Sequence, residues 1–208
     1  QTTLLARSVV CGDDLLNQII TANYAARKLG IPFIGLYSAC STMSESLLMG
    51  AMLMDGGFAS NVACAAASHF CTAERQYRMP LEMGTQAIPT SQRTVTGAAC
   101  TILSDETMPK PGAACITHGV IGRVVDLGVK DEANMGAAMA PAAADTFLSH
   151  MRDTNFAIDR YDIVVTGDLG TLGSELFHEL CRREGVAVED KHVDCGKIIF
   201  APDQNVNC

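Results

Sequence analysis

Two short strings carry residue types suited to nucleophilic or anion-binding chemistry. In GLYSACSTMSES, Gly35 to Ser46, Cys40 stands between the apolar run IPFI and the helix-patterned LLMGAMLM, flanked by Ser38, Ala39, Ser41 and Thr42. A cysteine where a strand turns into a helix meets the partial positive charge and the unsatisfied N–H groups of a helix N-terminus. Both favour thiolate over thiol, and the same N–H groups can hold an oxyanion or a carboxylate. The alternative is a small buried hydrophobe. In KHVDCG, His192 supplies an imidazole that can pair with a thiolate or polarise a carbonyl. The remaining cysteines sit in apolar or helical runs and read as core. His118, His150 and His178 read as strand-end or helix-surface residues.

The two strings occupy matching places in an internal repeat. VVCGDDLLNQII, from Val9, and VVTGDLGTLGSEL, from Val164, each read as an apolar strand, a Gly-Asp turn and a helix. Each helix runs to a Gly-containing stop, then a second strand and a polar turn. Asp13 precedes Cys40 by 27 positions, and Asp168 precedes Cys195 by the same 27. Chance likeness between α/β units is the alternative; equal spacing favours duplication.

Strand-like and helix-like runs alternate along the chain, which predicts α/β layering. LNQIITANYAARKLG reads as an amphipathic helix through Leu16, Ile19, Ile20 and Tyr24, closed by Gly30. IPFIGLY reads as a buried strand and STMSESLLMGAMLMDGG as a helix. NVACAAAS, GAACTILS and AACITHGVIGRVVDLG read as strands, the last two separated by a break at MPKPG. PAAADTFLSHMRDT and SELFHELCRREG read as helices on either side of the strand DRYDIVVTGD. Residues 69–96 show little periodicity and read as a long functional loop carrying Arg75, Arg78 and Arg93.

Composition narrows the function. Of 208 residues, 48% are hydrophobic and 5% aromatic, so close-packed layers of small residues are expected. A formal net charge of −8 without a basic run argues against nucleic acid and against direct binding to anionic lipid. Nine scattered cysteines with no CxxC pair fit a reducing, intracellular compartment. The longest apolar stretch is too short to span a bilayer, and no signal-peptide pattern is read at the start.

A duplicated α/β half, with a cysteine at the first helix turn and a histidine in the second half, resembles the thiolase superfamily. Within it, GDDLLNQIITANYAARKLGIPF, SACSTMSES, SHFCTAERQYRMPLE, TVTGAA, NMGAAMAPAAADT, YDIVVTGDLG, KHVDCG and APDQ are similar to the stage V sporulation protein AD family. The resemblance implies a thiolase-like layered α-β-α-β-α fold with two halves. The first half would span residues 1–160, including the long loop 69–96. The second would start at 161 and be incomplete by 208, since members of the family are longer than this chain. It implies a protein that binds dipicolinic acid (pyridine-2,6-dicarboxylate) for uptake into the developing spore. Such a protein would be intracellular and peripheral at the spore inner membrane, working with membrane-embedded channel subunits of the same operon, and a homodimer fits. It places Cys40 and His192 at the superfamily's nucleophile and histidine positions. The third active-site position, on a glycine-rich loop beyond APDQ, has no counterpart, so turnover is not expected. The rival reading is a ketoacyl-synthase-like condensing enzyme that uses Cys40 as nucleophile.

Dipicolinate is a planar dianion, and bidentate arginine is the natural partner of its carboxylates. Cys40, Ser41, His69, Arg75, Arg78 and His192 are the candidate ligand-binding residues. The alternative for the arginines is surface pairing with Glu74 and other acids. No resident cofactor or metal is expected. No EF-hand-like loop is present, so calcium would enter only as the chelate of the ligand.

Overall fold

The computed structural model describes residues 6–14, 19–77, 90–105, 112–131 and 133–204. The chain forms two compact units, Gln1–Gly84 with Thr94–Thr117, and Thr85–Arg93 with His118–Cys208.

The first unit contains β1 (Ala6–Asp14), α1 (Ile20–Leu29), β2 (Phe33–Gly35), α2 (Thr42–Asp55), β3 (Ala59–Ser68), α3 (Phe70–Tyr77) and β4 (Gly97–Ser104). Its four-stranded sheet has the order β2-β1-β3-β4. β1 is parallel to both neighbours, with Cys11 opposite Ile34 on one side and Cys64 on the other. β4 closes the sheet antiparallel to β3. Alternate residues of β1 and β3 (Val9, Cys11, Val62, Cys64) join Leu47, Leu53 and Met54 of α2 in one apolar cluster. The small residues of β3 let α2 come close. A Cβ on Gly50 would sit 2.7 Å from Cys64 Sγ and 2.9 Å from Leu103 Cδ1. Cys64 donates its thiol to the Ser46 carbonyl at 3.2 Å, and burial pushes its pKa up to about 11.

The second unit contains α4 (Met135–Thr154), β5 (Val164–Thr166), α5 (Gly170–Arg183), β6 (His192–Asp194) and α6 (Cys195–Ile199). β5 and β6 are parallel, with Val164 opposite His192 and Thr166 opposite Asp194. α4 buries Gly136, Ala140, Ala144 and Leu148, one residue per turn. α5 buries Gly170, Gly173, Ser174, Phe177 and Cys181. The two helices meet backbone to backbone: a Cβ on Gly173 would lie 3.0 Å from both the Cα and the carbonyl oxygen of Gly136.

Several expectations change. Gly12 and Asp13 lie inside β1 rather than in a turn, because both are paired with β3. Gly12 is under the Phe33 ring, 3.2 Å from where its Cβ would be. α1 ends at Gly30 (φ 65°) as expected, but only Ala26 is buried, and Tyr24 is 65% exposed. Ile19, not Ile20 or Tyr24, is the residue that packs, filling the space above Gly35. β2 is a three-residue, half-buried edge strand. The start of the expected long loop is helical, as α3. Residues 113–131 form no strand despite their β-rich composition, and Val124 is 96% exposed. A β-propensity run becomes a strand only where another strand offers its backbone.

α4 begins six residues before the expected Pro141. Asn134 is its N-cap, accepting from the Ala137 N–H at 3.2 Å. Pro141 is therefore an interior residue of the helix. Cys11, Cys64 and Cys181 are core, whereas Cys71, Cys100, Cys115 and Cys195 are exposed. Cys100 lies on the edge strand β4, which is exposed along nearly all its length.

Candidate functional site

In the first unit the parallel strands β1, β2 and β3 end at the same edge of the sheet. β2 ends at Gly35 beside Gly12, and β3 ends at Ser68, just beyond the Asp14–Ala67 pair. The chain leaves β1 for β2 on one side and returns past it to β3 on the other. Such a reversal opens a crevice outside the carboxyl ends of the strands, the usual ligand position in open α/β sheets. Two groups of candidates leave from this edge. Cys40 and Ser41 follow β2, and His69 follows β3 at the start of α3, the helix that carries Arg75. Arg78 lies outside the described residues.

Cys40 sits in a short 3-10 turn, Ala39–Ser41, that leads directly into α2. It lies just before the first turn of the helix, as the sequence predicts, and is half-buried. The turn is built from its own small polar residues. Ser41 Oγ donates to the Ser38 carbonyl at 2.9 Å, and Thr42 Oγ1 donates to the Ala39 carbonyl at 2.8 Å. Ser41, the N-cap residue of α2, thus turns its hydroxyl away from the helix N–H groups. Ala39 holds φ at 44°, a left-handed conformation that costs an L-residue about 1–2 kcal/mol. Strain of this kind persists where surrounding structure imposes it, and here it falls on the residue next to Cys40. Replacing Ala39 with Gly relieves it, partly offset by about 0.4–1 kcal/mol of added unfolded-state entropy. Ala39→Gly is therefore expected to unfold at no lower urea concentration than the parent. Ala39→Val, β-branched in a left-handed site, is expected to unfold distinctly earlier.

The second unit holds a separate polar cluster. Asp194 is 2% exposed, and its carboxylate accepts four hydrogen bonds. Thr166 Oγ1 donates at 2.7 Å, and the Leu169, Gly170 and Lys197 N–H groups donate at 2.9, 3.0 and 3.1 Å. One side chain thus caps both α5 and α6. Asp168, in the turn before α5, has φ 58°, and its carbonyl accepts from Gln92 Nε2.

His192 opens β6. Its Nε2 lies 2.7 Å from Thr166 Oγ1 and its Nδ1 lies 2.8 Å from His178 Nε2. Both ring nitrogens are therefore engaged inside this unit. Burial pulls the pKa values of His178 and His192 below the usual histidine value, with each imidazole's neighbours modifying the effect. Although Cys195 is exposed as a residue, the atoms packed around its sulfur desolvate the thiol and push its pKa up. The carboxylates of Asp194 and Asp168 add to this, the opposite of what a nucleophile needs.

His178, read from sequence as a helix-surface residue, is thus a partner of His192. The only sequence signal was its place on a helix leading to the KHVDCG strand. With Cys11 and Thr166 taken as equivalent, their cross-strand partners Ile34 and Asp194 match. α6 then starts immediately at Cys195, whereas the first copy interposes residues 36–41 before α2. The equal sequence spacing therefore does not reproduce the strand register. Among the described residues no group of three or more His, Cys, Asp and Glu is placed to hold a metal ion.

A β-α-β unit repeated along a layered α/β chain, with a cysteine turn at the carboxyl edge of the first sheet, is the architecture of thiolase-type condensing enzymes. Xanthomonas campestris OleA with bound lauric acid and lauroyl-CoA matches with a TM-score of 0.63 at 14% identity, over 93% of this chain and 63% of that one. The 3-oxoacyl-[acyl-carrier-protein] synthase III of Aquifex aeolicus VF5 matches with a TM-score of 0.57 at 11% identity, over 94% and 63%. These likenesses are of fold alone. The chain belongs to the Stage V sporulation protein AD (SpoVAD) family, whose family model matches residues 6–208. The Stage V sporulation protein AD of Bacillus subtilis (strain 168) is 47% identical over 193 residues, 93% of this chain. The chain spans 56% of that relative's length.

Proposed function

We propose that this chain is part of a dipicolinate-binding protein of the thiolase fold, a binder without turnover that serves uptake into the developing spore. The observation that carries the reading is the convergence of the Cys40–Ser41 turn and the His69–Arg75 helix start at one carboxyl edge. A planar dianion needs N–H donors at one end and cations at the other, because two carboxylates are costly to desolvate unpaired. The start of α2 supplies the donors, and Arg75 with Arg78 supplies the charge. His192 is left out of this site, since both of its ring nitrogens are engaged by Thr166 and His178 within the second unit. Membrane-embedded channel subunits are the proposed partners, and the protein lies at the spore inner membrane as a peripheral component. No helix among the described residues is long and apolar enough to cross a membrane. Calcium enters only with the ligand. The two β-α-β copies are read as the starts of two halves, residues 1–160 and 161–208.

Calorimetry with dipicolinate, with and without calcium, tests the ligand. Arg75→Ala or Arg78→Ala is expected to remove a charge-assisted pair worth about 1.5–3 kcal/mol, roughly tenfold to a hundredfold in Kd. Cys40→Ala should weaken binding far less. Parent affinity in both arginine variants would remove the assignment.

The strained turn before Cys40 favours one second reading, a condensing enzyme with Cys40 as nucleophile. Incubation with acyl-CoA followed by mass spectrometry separates the two. A covalent acyl adduct on Cys40 supports the enzyme, and an unmodified chain that binds dipicolinate supports the binder.

A further inference from the structure

The hydrogen bonds around His192 have a direction that follows from counting protons. Thr166 has one hydroxyl proton and gives it to Asp194 Oδ2. Its oxygen can then only accept from His192 Nε2, which must carry a proton. A neutral His192 therefore presents a bare Nδ1, and His178 must donate to it from Nε2. The chain runs His178 to His192 to Thr166 to Asp194, and both imidazoles are held as the Nε2–H tautomer. It ends on the carboxylate that caps α5 and α6.

We propose that His178 and His192 act as a two-step proton switch on the helix caps of the second unit, thrown by the second proton. The first added proton binds Nδ1 of His178, the one ring nitrogen outside the chain, and leaves every hydrogen bond in place. A second proton would have to bind Nδ1 of His192, where His178 already donates. Two imidazolium rings cannot donate to each other, so that step breaks the His178–His192 bond and drives the two rings apart, which loosens the His192 contact that orients Thr166 against Asp194.

The hydrogen bonds set the order, because His178 Nδ1 alone of the four ring nitrogens lies outside the chain. His178 faces Glu189, which precedes β6, Lys197 of α6, and Glu175 and Arg182 of its own helix. His192 faces His178, Asp194 and Lys197. Glu189 and Glu175 favour a protonated His178, and Lys197 and Arg182 oppose it. Burial lowers the pKa of both rings from 6.5, so the unfolded chain binds more protons than the folded one in this range. Stability is complete above the ordinary histidine value and is lost as pH falls through it towards the folded values.

Histidine-selective nitrogen NMR on the 208-residue chain, titrated from pH 8 to 5, tests the switch. The expected result is that His178 titrates first, while His192 stays neutral and Nε2-protonated. The second step should follow by about one pH unit or more. A His192 that takes up the first proton, or that carries its proton on Nδ1, would overturn the proposal. His178→Gln keeps an N–H donor that does not titrate, so its melting temperature should fall less on acidification than the parent's. An equal fall would also overturn it, and if that variant does not fold, the NMR titration of the parent decides alone.

Discussion

Asp194→Ala is expected to destabilise the second unit severely at neutral pH. The substitution removes the acceptor of the Leu169, Gly170 and Lys197 N–H groups and of the Thr166 hydroxyl. An orphaned buried donor costs about 1–3 kcal/mol. With two helix starts uncapped at once, the combined loss is on the order of 3 kcal/mol or more, a large share of the 5–15 kcal/mol that holds an ordinary domain together. Urea unfolding followed by circular dichroism should show the midpoint collapse. Asp194→Asn should fall between, since its amide oxygen still accepts but its NH2 group confronts N–H donors. A midpoint unchanged in Asp194→Ala would mean that water replaces the carboxylate.

The second large effect is expected where α4 crosses α5. Each helix presents a glycine backbone to the other, and a methyl group on Gly173 has no room at 3.0 Å from Gly136. The helices would have to separate, withdrawing Ala140, Ala144 and Phe177 from their shared core. Gly173→Ala is expected to cost about 3 kcal/mol, the upper end of ordinary overpacking penalties, and Gly136→Ala a similar amount. Gly97→Ala is the internal control. A Cβ there meets nothing within 4 Å, so that variant should unfold with the parent. Equal midpoints for all three would show that the helices shift without penalty.

The turn at Cys40 was legible because small polar residues interrupt an apolar strand pattern just before a helical one. That change of period marks a strand-to-helix seam wherever the fold puts it. α5 was legible for the same reason. His178 was not, because its role depends on β6 lying parallel to β5, which brings the His192 ring beside one face of the intervening helix. Residues 113–128 misled because the β-branched pairs Ile116-Thr117, Val120-Ile121 and Val124-Val125 record a preference for extended backbone and carry no information about a partner strand. Pro141 misled because a proline near a helical run usually marks its first turn. Here the cap at Asn134, seven residues earlier, had already started the helix. The exposed face of α1 was equally hidden, since periodicity shows that a helix has an apolar stripe but not that anything lies against it.

That exposed helix has a kinetic consequence for the Cys40 turn. α1 contributes one buried residue, Ala26, and precedes the three-residue strand that delivers the turn. Detaching it uncovers little apolar area, so its opening free energy is a small fraction of the global one, whereas α2 on the far side of the turn opens only with the core. The turn is thus anchored firmly at its exit and weakly at its entrance. Fluctuations that widen the carboxyl edge of the sheet arise from the β2 side, and a ligand that bridges the two groups leaving this edge would quench them.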